Sequence, residues 1–165
     1  MTIQVGDKVP SATLVKMTDN GPQPVATDEL FGGRTVALFS VPGAFTPTCS
    51  AKHLPGFVEH ADDIRARGVD EIVCISVNDP FVMGAWGKSA NVGDKVTLLA
   101  DGNADFVKTL GLTMDGSKFG MGTRGQRFSM LVRDGRVEQL NVEEPGAFKV
   151  SSAEHMIEQL GSIVC

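Results

Sequence analysis

Two hydrophobic patterns alternate along the chain. Consecutive apolar residues fill Val36 to Val41 (VALFSV), Glu71 to Val77 (EIVCISV) and Val96 to Ala100 (VTLLA). Such runs predict strands covered on both faces, since neither face then needs polar side chains. Between them the punctuation is helical. A helix is expected from Thr46 to Arg67, kinked at Pro55 and closed by Gly68. A second follows Asp79-Pro80 and carries Phe81, Met83 and Trp86, and a third runs from Asn103 to Leu110 before Gly111. Asp suits an N-cap, Pro the first helical position, and Gly the left-handed residue past a helix end.

Asp19 to Pro24 (DNGPQP) reads as a surface loop between two early strands, and Thr27 to Phe31 as a short helical turn. Leu112 to Gly125 reads as a glycine-rich loop. Arg127–Val132 and Arg136–Val142 flank Asp134-Gly135, a dipeptide that favours a hairpin turn. Ser151-Ser-Ala-Glu154 has the spacing of a capping box, opening a last helix closed by Gly161. Strands and helices alternate, then an antiparallel hairpin and a helix follow. This order predicts a single α/β domain over residues 1–165, with a mixed central sheet flanked by helices.

Composition narrows the function. Net charge is −5, and the basic residues are scattered. That argues against nucleic acid or an anionic membrane as partner. The N-terminal MTIQVGDK lacks the basic start and apolar run of a signal peptide, and no apolar stretch is of membrane-spanning length. The expected compartment is therefore the cytosol. Three cysteines in a reducing compartment do not make a disulfide framework; each is either a buried apolar side chain or a reactive thiol.

Cys49 stands out by position. In Val41-Pro-Gly-Ala-Phe-Thr-Pro-Thr-Cys49 a buried strand meets a helix. Thr46 suits the N-cap and Pro47 the first helical position, which leaves Cys49 third. There the helix dipole and unpaired N–H groups favour an anion. An ordinary thiol is only about 3% thiolate at pH 7, and thiolate is the nucleophile, so such a position activates the residue. A small buried side chain filling the first turn is the competing reading. Gly120-Met-Gly-Thr-Arg-Gly125 fits G-x-G-x-x-G but leads into a strand, so it is no dinucleotide fingerprint. His53, His60 and His155 show no metal-ligand spacing and read as isolated surface histidines, although His53 lies one turn after Cys49 and could tune it.

Pro42-x-x-x-Thr46-x-x-Cys49, within VPGAFTPTCSAKHLPGF, resembles the active-site motif of the peroxiredoxins, in particular the Prx5/type II subfamily. CISVNDPFVMGAWG, LLADGNADF, GQRFSMLVRDG and NVEEPG extend the likeness over nearly the whole chain. The resemblance implies a thioredoxin-like fold with an N-terminal strand extension, no cofactor, and a thiol peroxidase acting on hydrogen peroxide and organic hydroperoxides. It makes Cys49 the peroxidatic cysteine, oxidised to a sulfenic acid. Thr46 would hydrogen-bond the peroxide, Pro42 would shield the thiolate, and Arg127 would hold thiolate and peroxide. Phe45, Phe119 and Phe128 are candidates for an apolar rim that binds alkyl hydroperoxides. A homodimer pairing through the region of Phe81, Met83 and Trp86 is also implied.

Regeneration is less determined. Some members of the subfamily carry a resolving cysteine at the place of Cys74, whereas its apolar strand makes Cys74 a core residue by pattern. Other members place it before the last helix, where this chain reads GAFKVSS without one. Cys165, the final residue, reads as incidental. The expected reductant is glutathione with glutaredoxin, or thioredoxin; a Cys49–Cys74 disulfide is the runner-up. Two other classes remain: a general thiol–disulfide oxidoreductase, which would normally show C-x-x-C, and a non-catalytic thioredoxin-fold binding protein.

Overall fold

In the computed structural model, which describes residues 2–164, seven strands form one sheet. They are β1 (Thr13–Thr18), β2 (Gly21–Ala26), β3 (Thr35–Ser40), β4 (Glu71–Ser76), β5 (Thr97–Ala100), β8 (Phe128–Arg133) and β9 (Arg136–Val142). β6 (Thr113–Asp115) and β7 (Thr123–Gly125) make a separate two-stranded ladder. The main sheet runs β2-β1-β5-β4-β3-β8-β9, with β3, β4 and β5 parallel to one another and the remaining pairs antiparallel. It is the expected mixed sheet, and the β1–β2 hairpin is the N-terminal extension.

Alternate residues of the central strands enter two cores. Ala37, Phe39, Ile72, Cys74 and Leu131 pack with Cys49 under α2 (Leu54–Glu59), α3 (Ala61–Ala66), α4 (Pro80–Ser89) and α6 (Ala153–Val164). Val36, Leu38, Val73, Ile75 and Met130 face the other way, against α1 (Thr27–Phe31) and α5 (Asp105–Leu110). The period of two along a strand thus fixes which side chains can meet Cys49.

The long helix expected from Thr46 to Arg67 is divided. It begins at Pro47, widens into a π-turn over Cys49–His53, and breaks at His60 rather than at Pro55. In the π-turn the Leu54 N–H donates to the Cys49 carbonyl, five residues back. Pro55 has no N–H to donate, and its ring crowds the carbonyl four residues earlier; a widened turn in front of it relieves that crowding.

Three other expectations shift. Only Asp19-Asn20 turns; Pro22 and Pro24 of the supposed loop belong to β2, an edge strand where a missing N–H costs little. The glycine-rich loop contains the β6–β7 ladder and a 3₁₀ turn at Ser117–Phe119. The last helix is capped by Ser152, whose Oγ accepts from the His155 N–H, and it continues through Gly161 to Val164. Asp134-Gly135 turns as expected, both residues having positive φ (48° and 77°), the backbone a type I′ turn requires.

Candidate active site

The loop between β3 and the π-turn is built to hold one conformation. The Ala44 N–H donates to Asn78 Oδ1 at 2.9 Å, which ties the loop to the end of β4. A Cβ on Gly43 would stand 3.1 Å from Thr46 Cγ2 and 3.3 Å from Met121 Cε, so no larger residue fits without displacing them. Phe45 carries φ of 66°, a left-handed conformation that costs a non-glycine residue about 1 kcal/mol or more. The Thr46 carbonyl accepts the first helical bond, from the Ser50 N–H at 2.9 Å, so Thr46 is the N-cap by its backbone. Its hydroxyl does not cap. It donates to the Gly43 carbonyl at 2.7 Å, which leaves the oxygen lone pairs for a bound peroxide. A peroxide at this hydroxyl would find it able to accept a hydrogen bond.

Cys49 is fully buried at the head of this helix. Arg127 Nη2 donates to its sulfur at 3.1 Å, a hydrogen bond from a charged donor. Arg127 Nη1 donates to His53 Nδ1 at 2.7 Å, and His53 Nε2 donates to the Ser151 carbonyl at 2.8 Å. With Nδ1 accepting, the single ring proton sits on Nε2. Burial first, and Arg127 second, lower the His53 pKa from 6.5 to about 3, against the opposing Ser151 bond and Glu143 charge. The imidazole is thus neutral wherever the thiolate is useful. The network continues to Glu143, whose Oε2 accepts from the Lys149 N–H (2.7 Å), the Ser151 N–H (2.8 Å) and Ser151 Oγ (2.7 Å). Burial pushes the Glu143 carboxyl up, but these hydrogen bonds outweigh it and hold the group below its ordinary value. Hydrogen bonds run from the sulfur through Arg127 and His53 to the Ser151 carbonyl, and Glu143 in turn fixes Ser151 through its N–H and Oγ.

Sequence reasoning placed Cys49, Thr46, Pro42 and Arg127, and the structure brings Cys49, Thr46 and Arg127 together around the first helical turn. Pro42 and Thr48 line a cavity of about 480 Å³ that reaches Arg127 and Glu143. His53 is buried, not a surface histidine as its isolation suggested. Its spacing four residues after Cys49 was the available signal. Glu143 and Ser151 had none, because their partners lie far away in sequence. The aromatic rim does not form as expected. Phe45 packs toward Trp86 at 6.5 Å between centroids, Phe119 is 83% exposed, and neither lines this cavity. Phe128 points into the opposite core.

Cys74 shares the core with Cys49. Burial pushes its thiol well above the ordinary value, the neighbouring Cys49 adds to this, and Arg127 opposes it. Cys74 is accordingly a protonated, weakly nucleophilic thiol in this conformation. Cys165 lies outside the described residues. Among the described residues no cluster of His, Cys, Asp or Glu could hold a metal ion, and no helix is long and apolar enough to cross a membrane.

A buried sulfur at a helix head, a guanidinium on that sulfur and a threonine offering lone pairs beside it are suited to O–O cleavage by a thiolate. Fold and site together define a thiol peroxidase on the thioredoxin-like scaffold. Known proteins agree. The Redoxin family model matches residues 4–157. Peroxiredoxin-2E-2 (chloroplastic) of Oryza sativa subsp. japonica is 52% identical over 164 residues, covering 96% of this chain and 73% of its own length. Peroxiredoxin-2B of Arabidopsis thaliana is 47% identical over 159 residues, covering 96% and 98%. Reduced Prx3 from Vibrio vulnificus, solved in complex with hydrogen peroxide, superposes with a TM-score of 0.93 at 49% identity, covering 96% and 99%. The chain belongs to the peroxiredoxins, of the Prx5/type II kind, and is a thiol-dependent peroxidase.

Proposed function

We propose that the protein reduces hydrogen peroxide and organic hydroperoxides through a sulfenic acid on Cys49, which glutathione with glutaredoxin, or thioredoxin, then reduces. The observation that carries this reading is the 3.1 Å bond from Arg127 Nη2 to Cys49 Sγ. The thiolate attacks the nearer peroxide oxygen. The S–O bond forms as the O–O bond breaks, sulfur gives up two electrons, and the departing oxygen takes them and a proton to leave as water or alcohol. Arg127 and the first-turn N–H groups of the helix stand where the negative charge develops. One external thiol then displaces water from the sulfenic acid to give a mixed disulfide, and a second thiol releases Cys49. The Vibrio relative, solved with hydrogen peroxide bound, supports that peroxide as substrate.

An outside reductant fits better than Cys74, because Cys74 is buried and protonated. A Cys49–Cys74 disulfide remains the second reading, since the two side chains share one core. Mass spectrometry after one equivalent of peroxide tests both. A gain of one oxygen on Cys49, persisting in Cys74→Ser, is expected; an internal disulfide lost in Cys74→Ser would favour the second reading. The chain pairs as a homodimer through the exposed side of α4 that carries Phe81, which is 65% exposed; Met83 and Trp86, expected to share that face, are each 1% exposed and belong to the core instead. It works in the cytosol, where thiol reductants keep residues such as Cys49 and Cys74 free. Cell fractionation with an antibody checks the compartment.

A further inference from the structure

The turn that leads into the Cys49 helix is held by residues outside it. Gly43 to Thr46 form a β-turn, closed by the Thr46 N–H on the Gly43 carbonyl at 3.3 Å. Phe45 occupies the third position with φ of 66°, where a type II turn normally takes glycine or asparagine. A phenylalanine keeps that backbone only where the surroundings impose it.

Asn78, two residues past the end of β4, supplies one such constraint. Its Oδ1 accepts from the Ala44 N–H at 2.9 Å and from Ser76 Oγ at 2.6 Å, so the turn is tied to an oxygen that β4 itself holds. The backbone that carries Asn78 is fixed as well. Arg124 Nη1 donates to the Val77 carbonyl at 2.8 Å, and its Nε to the Met121 carbonyl at 2.9 Å. Arg124 also packs beside the turn, since a Cβ on Gly43 would stand 3.6 Å from its Nη1.

One peptide unit connects these contacts to the chemistry. The peptide between Gly43 and Ala44 is planar and trans, so its N–H and C=O point in opposite directions. Asn78 holds the N–H side, and this sets the direction of the Gly43 carbonyl on the other side. That carbonyl receives the Thr46 hydroxyl at 2.7 Å. With its proton placed there, Thr46 Oγ1 offers its lone pairs in one fixed direction. Without Asn78 the peptide unit is free to rotate, and the hydroxyl loses the acceptor that orients it.

We propose that Asn78 is a positioning residue for the peroxidase reaction: through the Gly43–Ala44 peptide it sets the Thr46 hydroxyl, and Arg124 supports it through the Val77 carbonyl. The proposal rests on the reading of Thr46 as a partner of the bound peroxide.

The test compares two reactions of Cys49 in the reduced protein. Oxidation by hydrogen peroxide is followed by stopped-flow Trp86 fluorescence. Alkylation by iodoacetamide needs the thiolate but no hydroxyl, and it is followed by mass spectrometry. Asn78→Ala should slow oxidation about tenfold, the size of one net hydrogen bond, and change alkylation by less than about twofold. Asn78→Leu has a similar size and no acceptor; it should show the same split and replaces Asn78→Ala if that variant does not fold. Asn78→Asp keeps the acceptor oxygen and should recover most of the oxidation rate. Arg124→Leu should slow oxidation about threefold, with alkylation kept. In a Thr46→Val background, Asn78→Ala should cost less than about twofold, because the group it orients is gone. Equal losses in oxidation and alkylation, an Asn78→Asp variant as slow as Asn78→Ala, or a full tenfold loss in the Thr46→Val background would each overturn the proposal. An unchanged oxidation rate in Arg124→Leu would overturn the support assigned to Arg124. A Thr46→Val variant that oxidises as fast as the parent would instead sink the underlying reading of Thr46.

Discussion

Arg127 makes two bonds with two nitrogens, one to Cys49 Sγ and one to His53 Nδ1, and the fixed fork of the guanidinium sets both at once. Arg127→Gln is expected to slow oxidation of Cys49 about a hundredfold or more, the usual loss when a preorganised donor is removed from developing charge. Arg127→Lys should recover only part, because an ammonium is a point charge that cannot reproduce the fork. Both are read from the second-order rate with hydrogen peroxide. His53 gives a pH prediction. Its pKa is about 3 in the fold against 6.5 as the ordinary value, so between these values the unfolded chain binds the extra proton. Stability is therefore fully present above about pH 6.5 and falls as pH drops toward 3, by up to about 1.4 kcal/mol per pH unit. Urea midpoints at pH 7 and pH 4.5 should show this slope, and His53→Leu should flatten it. No limb of the peroxide rate near neutral pH should belong to His53.

The element on which catalysis turns is the π-turn from Cys49 to His53. Trp86 Nε1 donates to Ser50 Oγ at 3.0 Å, so α4 holds the residue beside the nucleophile. Ser50→Ala leaves that buried indole N–H without its partner, a loss of about 1–3 kcal/mol. Amide exchange at Ala51 to Leu54 should quicken, and the Trp86 emission should shift, with the far-UV spectrum kept. The segment before α6 is pinned in the same manner. Glu143→Ala removes the acceptor of three donors from Lys149 and Ser151. Through the Ser151 carbonyl this should loosen His53 and then Arg127, and lower the peroxide rate while the protein stays folded.

Over the whole molecule, the sheet carries two cores and the nucleophile belongs to one of them. A larger open groove of about 820 Å³ lies at the other end of the sheet, between Lys16 and Leu98, and none of the site residues line it. Phe81 of α4 is exposed and lies on the face proposed above for pairing. Phe81→Asp should shift the protein to monomer in sedimentation velocity without altering the fold.

What could be read from the chain alone was local. VALFSV and EIVCISV announce buried strands because an all-apolar run has no wet face, and Asp134-Gly135 announces its turn because few residues accept positive φ. Cys49 was legible by its place after Thr46 and Pro47, three positions that depend only on neighbours along the chain. Arg127 needed the family motif, since nothing nearby in sequence marks one arginine among several. Pro55 signalled strain, but a proline can be accommodated by a kink or by a widened turn, and the fold uses the widened turn. The roles of His53, Ser151 and Glu143 depend on contacts between residues as much as 98 positions apart. The rim aromatics failed for the same reason: Phe119 and Phe128 are close in sequence, yet one faces solvent and the other the opposite core. Sequence determined where a thiol would be activated, because helix ends and turns obey short-range rules. Only the tertiary structure decided what holds Arg127 on it and which cavity borders Arg127, because burial and long-range hydrogen bonds exist only once the sheet has brought distant segments together.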